Sequence, residues 1–243
     1  MEFVVLPFLE THAGQQMEID ARLFEAYPSD YASPAIRFYG ICPPAVTIGF
    51  HQSEESVFRL VGDRAIEVVR RPTGGRAVLH AGDLVYSVIG HTAGPLFGES
   101  TLDIYRVISK GVRRGIERLG IKLECVESSR IESSPLCFRL ASKYELLHRG
   151  GKLCGGALLK RNGKFLFQGS ILLDSPPPEY ADLAAGSASV NGILGERITT
   201  DGFIESIEAG LREELGVEMR EERWADCLDR MKFLFYNKCG ANI

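Results

Sequence analysis

Residues 65–80 constrain this chain more than any other stretch. An apolar run over 65–69 delivers Arg70-Arg71, then Pro72-Thr73-Gly74-Gly75-Arg76, and a second apolar run, Ala77-Val78-Leu79, ends at His80. Two strand-forming runs separated by Pro, Thr and paired Gly must turn sharply between them. The glycine pair lets backbone N–H groups approach a ligand where a Cβ would intrude. The arginines supply planar donors suited to carboxylate or phosphate. Taken alone, the pattern reads equally as a tight hairpin turn with surface arginines.

The neighbourhood of that stretch is strand-rich. Strand patterns cover 2–9, 35–39, 45–51, 66–70, 77–80, 84–90 and 121–126. Three more follow at 143–148, 152–160 and 165–173, joined by Arg149-Gly150-Gly151 and Arg161-Asn162-Gly163, which is the pattern of a meander. Helical periodicity marks 13–27, 54–60 and, most clearly, 101–119, where Leu102, Tyr105, Ile108, Val112, Ile116 and Leu119 share one face. Helices are expected at 200–215 and 221–234, with Glu213-Glu214 and Glu221-Glu222 on solvated faces. Most strands are joined by hairpins and not by helices, so the expected architecture is α+β and not a doubly wound sheet. The 243 residues are read as one catalytic domain with a helical C-terminal segment over 199–243 packed on it.

Composition narrows the function classes. Hydrophobic content of 45% and charged content of 25% are those of an ordinary globular chain. A net charge of −4 argues against a broad nucleic-acid surface, and no apolar run is long enough to span a bilayer. No basic region precedes the apolar residues of Met1-Glu2-Phe3-Val4-Val5-Leu6, so the start reads as a strand and the cytoplasm is the expected compartment. Of six cysteines none forms C-x-x-C, and the five histidines show no metal spacing. No metal site is expected.

Three segments stand together in order: Arg37-Phe38-Tyr39 leading to Ala45-Val46-Thr47-Ile48-Gly49-Phe50-His51-Gln52; the arginine–glycine stretch continuing to Asp83-Leu84-Val85-Tyr86-Ser87; and Gly151-Lys152-Leu153-Cys154-Gly155-Gly156-Ala157 followed by Gln168-Gly169-Ser170. As a set they resemble the lipoate–protein ligase and octanoyltransferase family over most of residues 35–174. The resemblance implies a mixed β-sheet flanked by helices, related to the biotin ligase catalytic domain. It implies transfer of a medium-chain acyl group onto a lysine of a lipoyl-carrier domain, such as glycine cleavage protein H. It further implies that Arg70, Arg71, Thr73, Gly74, Gly75 and His80, with Gly155, Gly156 and Ala157, line the pocket, and that Lys152 is the essential lysine.

Cys137, in Ser133-Ser134-Pro135-Leu136-Cys137-Phe138, separates the branches of that family. Members working through an acyl-enzyme carry a cysteine in this context, which implies that Cys137 takes octanoyl from acyl carrier protein as a thioester. A free thiol, with a pKa of about 8.5, is activated by a nearby ammonium, and the same ammonium can stabilise the oxyanion. No cofactor is then needed; ATP and magnesium enter only for the alternative, a ligase activating free lipoate. Lipoyl transfer between carrier domains and a non-catalytic acyl-binding protein are the other readings. Cys42, Cys125, Cys227 and Cys239 lack an activating context and read as structural, and Cys154 reads as a core residue. Serine is common in the family where Gly156 stands, which is expected to remove a hydroxyl contact to substrate or carrier.

Overall fold

The central strands over 83–91 and 164–172 are buried on both faces, so the sheet must be covered on both sides. The computed structural model describes residues 1–28, 33–125 and 144–223. Its elements are β1 (Glu2–Thr11), α1 (Ala13–Ala26), β2 (Ala35–Ile41), β3 (Ala45–Ile48), α2 (Glu54–Val61), β4 (Glu67–Arg70), β5 (Val78–His80), β6 (Asp83–His91) and α3 (Thr101–Glu117). They continue with β7 (Glu124–Cys125), β8 (Leu146–His148), β9 (Gly151–Arg161), β10 (Lys164–Leu172), α4 (Val190–Leu194), α5 (Thr200–Leu215) and β11 (Glu218–Glu221).

Eight strands form one mixed sheet in the order β11-β1-β2-β6-β10-β9-β8-β7. β1 runs parallel to β2 and β11, and the pairs from β2 to β7 are antiparallel. A small sheet, β4-β3-β5, lies apart from it. The expected meander is β8-β9-β10. Its turns place Arg149 and Gly150, then Asn162 and Gly163, at positive φ, the geometry that suits two-residue hairpins. The expected mixed sheet flanked by helices is the observed architecture.

The back face of the large sheet carries Phe38, Tyr86, Val88, Phe165 and Phe167. They pack against Ile104, Ile108, Val112 and Ile116 of α3 and Phe203, Ile207 and Leu211 of α5. The two helices meet backbone to backbone: a Cβ on Gly210 would lie 2.1 Å from the Gly115 nitrogen, and Ser206 donates to the Gly115 carbonyl at 2.8 Å. The front face buries Val4, Leu6, Ile89 and Leu166 under Leu23 and Phe24 of α1 and Tyr27 just after it. Among the described residues no helix is long and apolar enough to cross a membrane.

Two expectations are corrected. The helix expected over 221–234 does not begin there: Gly216 takes the left-handed conformation that stops α5, and the chain returns as β11, parallel to β1. Glu222 is buried and donates its backbone N–H to the Val5 carbonyl, so it is not on a solvated helix face; residues from 224 onward lie outside the described residues. The strand expected over 45–51 stops at Ile48, because Gly49 to Gln52 turn under the glycine loop, where a Cβ on Gly49 would sit 2.0 Å from the Gly75 carbonyl oxygen.

Gly210→Ala places a methyl group into backbone and not into a yielding side chain. It should destabilise the chain by about 1–3 kcal/mol, read as a lowered midpoint in urea denaturation; an unchanged midpoint would show that α3 and α5 are not held this close.

Candidate functional site

Strand register sets the floor of a cleft on the front of the large sheet. Two rows of side chains cross β2, β6, β10 and β9: Arg37, Ser87, Gln168, Ala157 and, beside it, Tyr39, Val85, Ser170, Gly155. Above them the small sheet contributes Thr47, Val78 and His80, and the loop after β4 contributes Arg71 and Gly75. Met17 of α1 closes one side. The cleft is half open, and the space free of protein atoms within it, solvent-facing part included, is about 470 Å³. Its surface is chiefly carbon, from Met17, Val78, Val85, Ala157, the Tyr39 ring and the glycine backbones.

The floor is fixed by a buried carboxylate. Asp20 accepts from Ser87 Oγ at 2.8 Å, Tyr39 Oη at 2.9 Å and Gln168 Nε2 at 2.7 Å, and Arg37 Nε lies 3.4 Å away. The Arg37 guanidinium also stacks 4.0 Å from the Tyr39 ring centroid and donates to Gln16. Burial, then the Asp20 charge, hold the Tyr39 phenol well above its ordinary pKa, so it stays a neutral donor. With its amide nitrogen committed to Asp20, Gln168 turns its oxygen to the Thr73 hydroxyl at 2.7 Å and so fastens the glycine loop to the floor.

The roof is fixed by a second chain of bonds. Asp83 accepts from Ser170 Oγ at 2.6 Å and faces His80 Nδ1 at 2.7 Å, which puts the hydrogen on Nδ1; in the neutral ring Nε2 then accepts from Thr47 Oγ1 at 2.8 Å. Arg71 donates to the Thr47 carbonyl and hydroxyl oxygens at 3.1 and 3.3 Å and to the carbonyls of Gly74 and Arg76 at 2.6 and 2.8 Å. These bonds clamp the arginine's own loop. Gly75 sits at φ +86°, and a Cβ there would meet Arg71 Nη2 at 2.8 Å.

At the β9 end the cleft meets a buried ion pair. Lys152 Nζ lies 2.7 Å from Glu145 Oε1, with both side chains at most 4% exposed. A Cβ on Gly155 would stand 2.9 Å from Lys152 Nζ and 3.1 Å from Glu145 Oε1. Glycine at 155 is therefore what leaves the ammonium room directly behind the cleft lining.

The family model for the lipoyl protein ligase A/B catalytic domain matches residues 12–212. The chain belongs to that family. The octanoyltransferase LipM of Kyrpidia tusciae is 33% identical over alignments covering 85% of this chain and 85% of that protein. LipM of Carboxydothermus hydrogenoformans is 37% identical over 66% of this chain, and the match spans 61% of that protein. Among solved structures, the bipartite lipoate protein ligase of Thermoplasma acidophilum, studied with its E2 lipoyl domain, superposes with a TM-score of 0.69 at 22% identity over 96% of this chain and 90% of that one. Biotin protein ligase from Aquifex aeolicus shares the fold at a TM-score of 0.52 and 15% identity, over 87% of this chain and 70% of that one.

Within this lipoyl ligase-type fold, Arg71, Gly75, His80, Gly155, Gly156 and Ala157 line the cleft. Thr73 sits beneath the loop, and the Gly74 carbonyl accepts from Arg71. Arg70 points elsewhere: its Nη1 donates to the carbonyls of Gly49, Phe50 and Gln52, each at 2.9 Å, and its Nη2 pairs with Glu54 at 2.8 Å. Cys137 lies outside the described residues, as do Cys227 and Cys239. Cys154 is buried, its sulfur 3.9 Å from Tyr86 Oη, whereas Cys42 is exposed and not part of the core.

Gly156 has a different meaning from the one expected. Its side-chain direction faces the back of the sheet, where a Cβ would lie 2.3 Å from Phe167 Cζ; the cross-strand partner Gly169 is crowded in the same way by the Tyr86 ring. A serine hydroxyl at 156 would therefore meet Phe167 and not a ligand in the cleft. Sequence reasoning assigned no role to Met17, Asp20 or Glu145. Asp20 and Glu145 carried only a weak signal, an acid flanked by core-type residues, and Met17 carried none beyond its place on a helix face.

Gly156→Ser should destabilise the protein by about 1–3 kcal/mol through overpacking. In a double-mutant cycle followed by urea denaturation, Phe167→Leu should recover part of that loss; strict additivity of the two changes would contradict the clash.

Proposed function

We propose that the chain is an acyltransferase of lipoate assembly that moves octanoyl from acyl carrier protein to a lysine of a lipoyl-carrier domain through a Cys137 thioester. The observation that carries this reading is a carbon-lined cleft ending against the buried Lys152 ammonium. Family membership and relatives named octanoyltransferase LipM support it. The T. acidophilum ligase, described with its E2 lipoyl domain, supports a lipoyl-carrier acceptor.

In the first step the Cys137 thiolate attacks the donor thioester carbonyl, the carrier's thiolate leaves and takes up a proton, and octanoyl remains on sulfur. In the second, a neutral lysine amine of the acceptor attacks that new thioester; the C–S bond breaks, an amide forms, and the amine's proton passes to Cys137 sulfur. Lys152 faces the oxyanion of each tetrahedral intermediate as a fixed positive charge, an interaction strengthened where water is excluded. Glu145 keeps the long lysine side chain in one place. A thioester is already activated, so neither ATP nor a metal takes part. The seven carbons beyond the carbonyl contribute about 0.8 kcal/mol each on burial, enough for the cleft to hold the chain through both steps.

Purified protein given octanoyl-carrier protein and a lipoyl domain should produce octanoylated lipoyl domain without ATP. Dependence on ATP with free lipoate would replace this reading with the ligase. Gly155→Ala, which pushes the Lys152 head group aside, should lower the transfer rate by about 10²-fold and, by disturbing a buried ion pair, should also lower the urea midpoint. An unaffected rate would remove Lys152 from the mechanism.

A further inference from the structure

Met17 occupies the end of the cleft opposite Lys152, and its surroundings show why. The row Gly155, Ser170, Val85, Tyr39 crosses three strand-to-strand steps from β9 to β2. At the usual spacing that row is about 14 Å long. Met17 packs at its far end on Tyr39 and Val85 of the large sheet, and the same cluster takes in Val69 of β4. One side chain of α1 thus bridges the two sheets that form floor and roof. It is 5% exposed, and Gln168 Nε2, itself held by Asp20, lies 3.4 Å from its sulfur.

We propose that Met17 is the chain-length stop of this cleft, selecting an acyl chain of about eight carbons over longer ones. The proposal rests on the acyl-transfer reading above and adds the residue that measures the chain. An extended chain advances about 1.2 Å per bond, taking the backbone's 3.6 Å per three bonds as the guide, so eight carbons span roughly 9 Å. The row length, less one van der Waals contact of about 4 Å at the closed end, leaves roughly 10 Å. Eight carbons fill that length with the carbonyl at the Gly155 end, beside the Lys152 ammonium. Ten carbons would have to displace Met17 or withdraw the carbonyl from that charge. The unbranched side chain of methionine fills the irregular corner between a helix and two sheets without polar atoms that would need a partner.

The test compares wild type, Met17→Ala and Met17→Phe with octanoyl-, decanoyl- and dodecanoyl-carrier protein as donors. Binding of octanoate, decanoate and dodecanoate is measured in parallel by calorimetry, which does not depend on turnover. Met17→Ala should raise the decanoyl-to-octanoyl ratio of kcat/KM about tenfold, since each accommodated methylene is worth roughly fourfold. Met17→Phe should lower octanoate affinity by a similar factor. An unchanged chain preference in both variants, with wild type transferring octanoyl, would overturn the stop and leave the acyltransferase standing. Wild-type binding of fatty acids without any transfer, with preference still moved by Met17, would support the stop and remove the transfer reaction. Binding of none of the fatty acids would overturn the stop. Should Met17→Ala fail to fold, Met17→Val removes the same end of the side chain with less volume lost.

Discussion

The Asp20 carboxylate is the interaction on which the rest of the site depends. It is fully buried on α1 and gathers donors from β2, β6 and β10, so one group ties a helix to three strands of the floor. A buried charge is tolerated only when its lone pairs are occupied, and here Ser87, Tyr39 and Gln168 occupy them while Arg37 balances the charge. The order of bonds matters. Because Asp20 takes the amide nitrogen of Gln168, the amide oxygen must face Thr73, and the glycine loop is anchored in one position over the cleft. Removing one partner would leave the others buried and unsatisfied, so the network acts as a unit.

The roof repeats this logic with different residues. Asp83 fixes His80, His80 fixes Thr47, and Thr47 with Arg71 fixes the loop carbonyls. Floor and roof meet where Asp83 faces His80 and where Thr73 donates to Gln168, and Met17 fills the remaining side. The cleft can therefore be apolar inside although many of its second neighbours are charged or polar. That division suits a long alkyl chain, which needs burial along its length and charge only at its carbonyl.

The sequence made much of this legible, and the limits have physical causes. Strands and helices with a clean period were readable: 200–215 is the observed span of α5, and the meander turns carry the glycines their positive φ requires. The glycine loop was readable as a turn near a ligand, but nothing local distinguishes Arg71, which clamps the loop, from Arg70, which is tied to the surface turn at Gly49–Gln52. β11 is not legible because an edge strand of four residues, with Met219 as its single apolar side chain, has too little signal to compete with a helical pattern. Gly156 was misread because the register that aims its side chain at Phe167 depends on pairing with β10, a partner no local pattern reveals. Glu145 and Asp20 acquire their meaning only when tertiary contacts bring Lys152 and Gln168 to them.

We propose that this cleft serves a covalent exchange on Cys137 and does not merely hold a fatty chain. The most direct measurement is intact mass after mixing the protein with octanoyl-carrier protein in the absence of ATP. One added octanoyl group, absent in Cys137→Ser and discharged when a lipoyl domain is added, is the expected result. An unmodified mass in a wild-type protein that nevertheless octanoylates the lipoyl domain would contradict this and remove Cys137 from the mechanism.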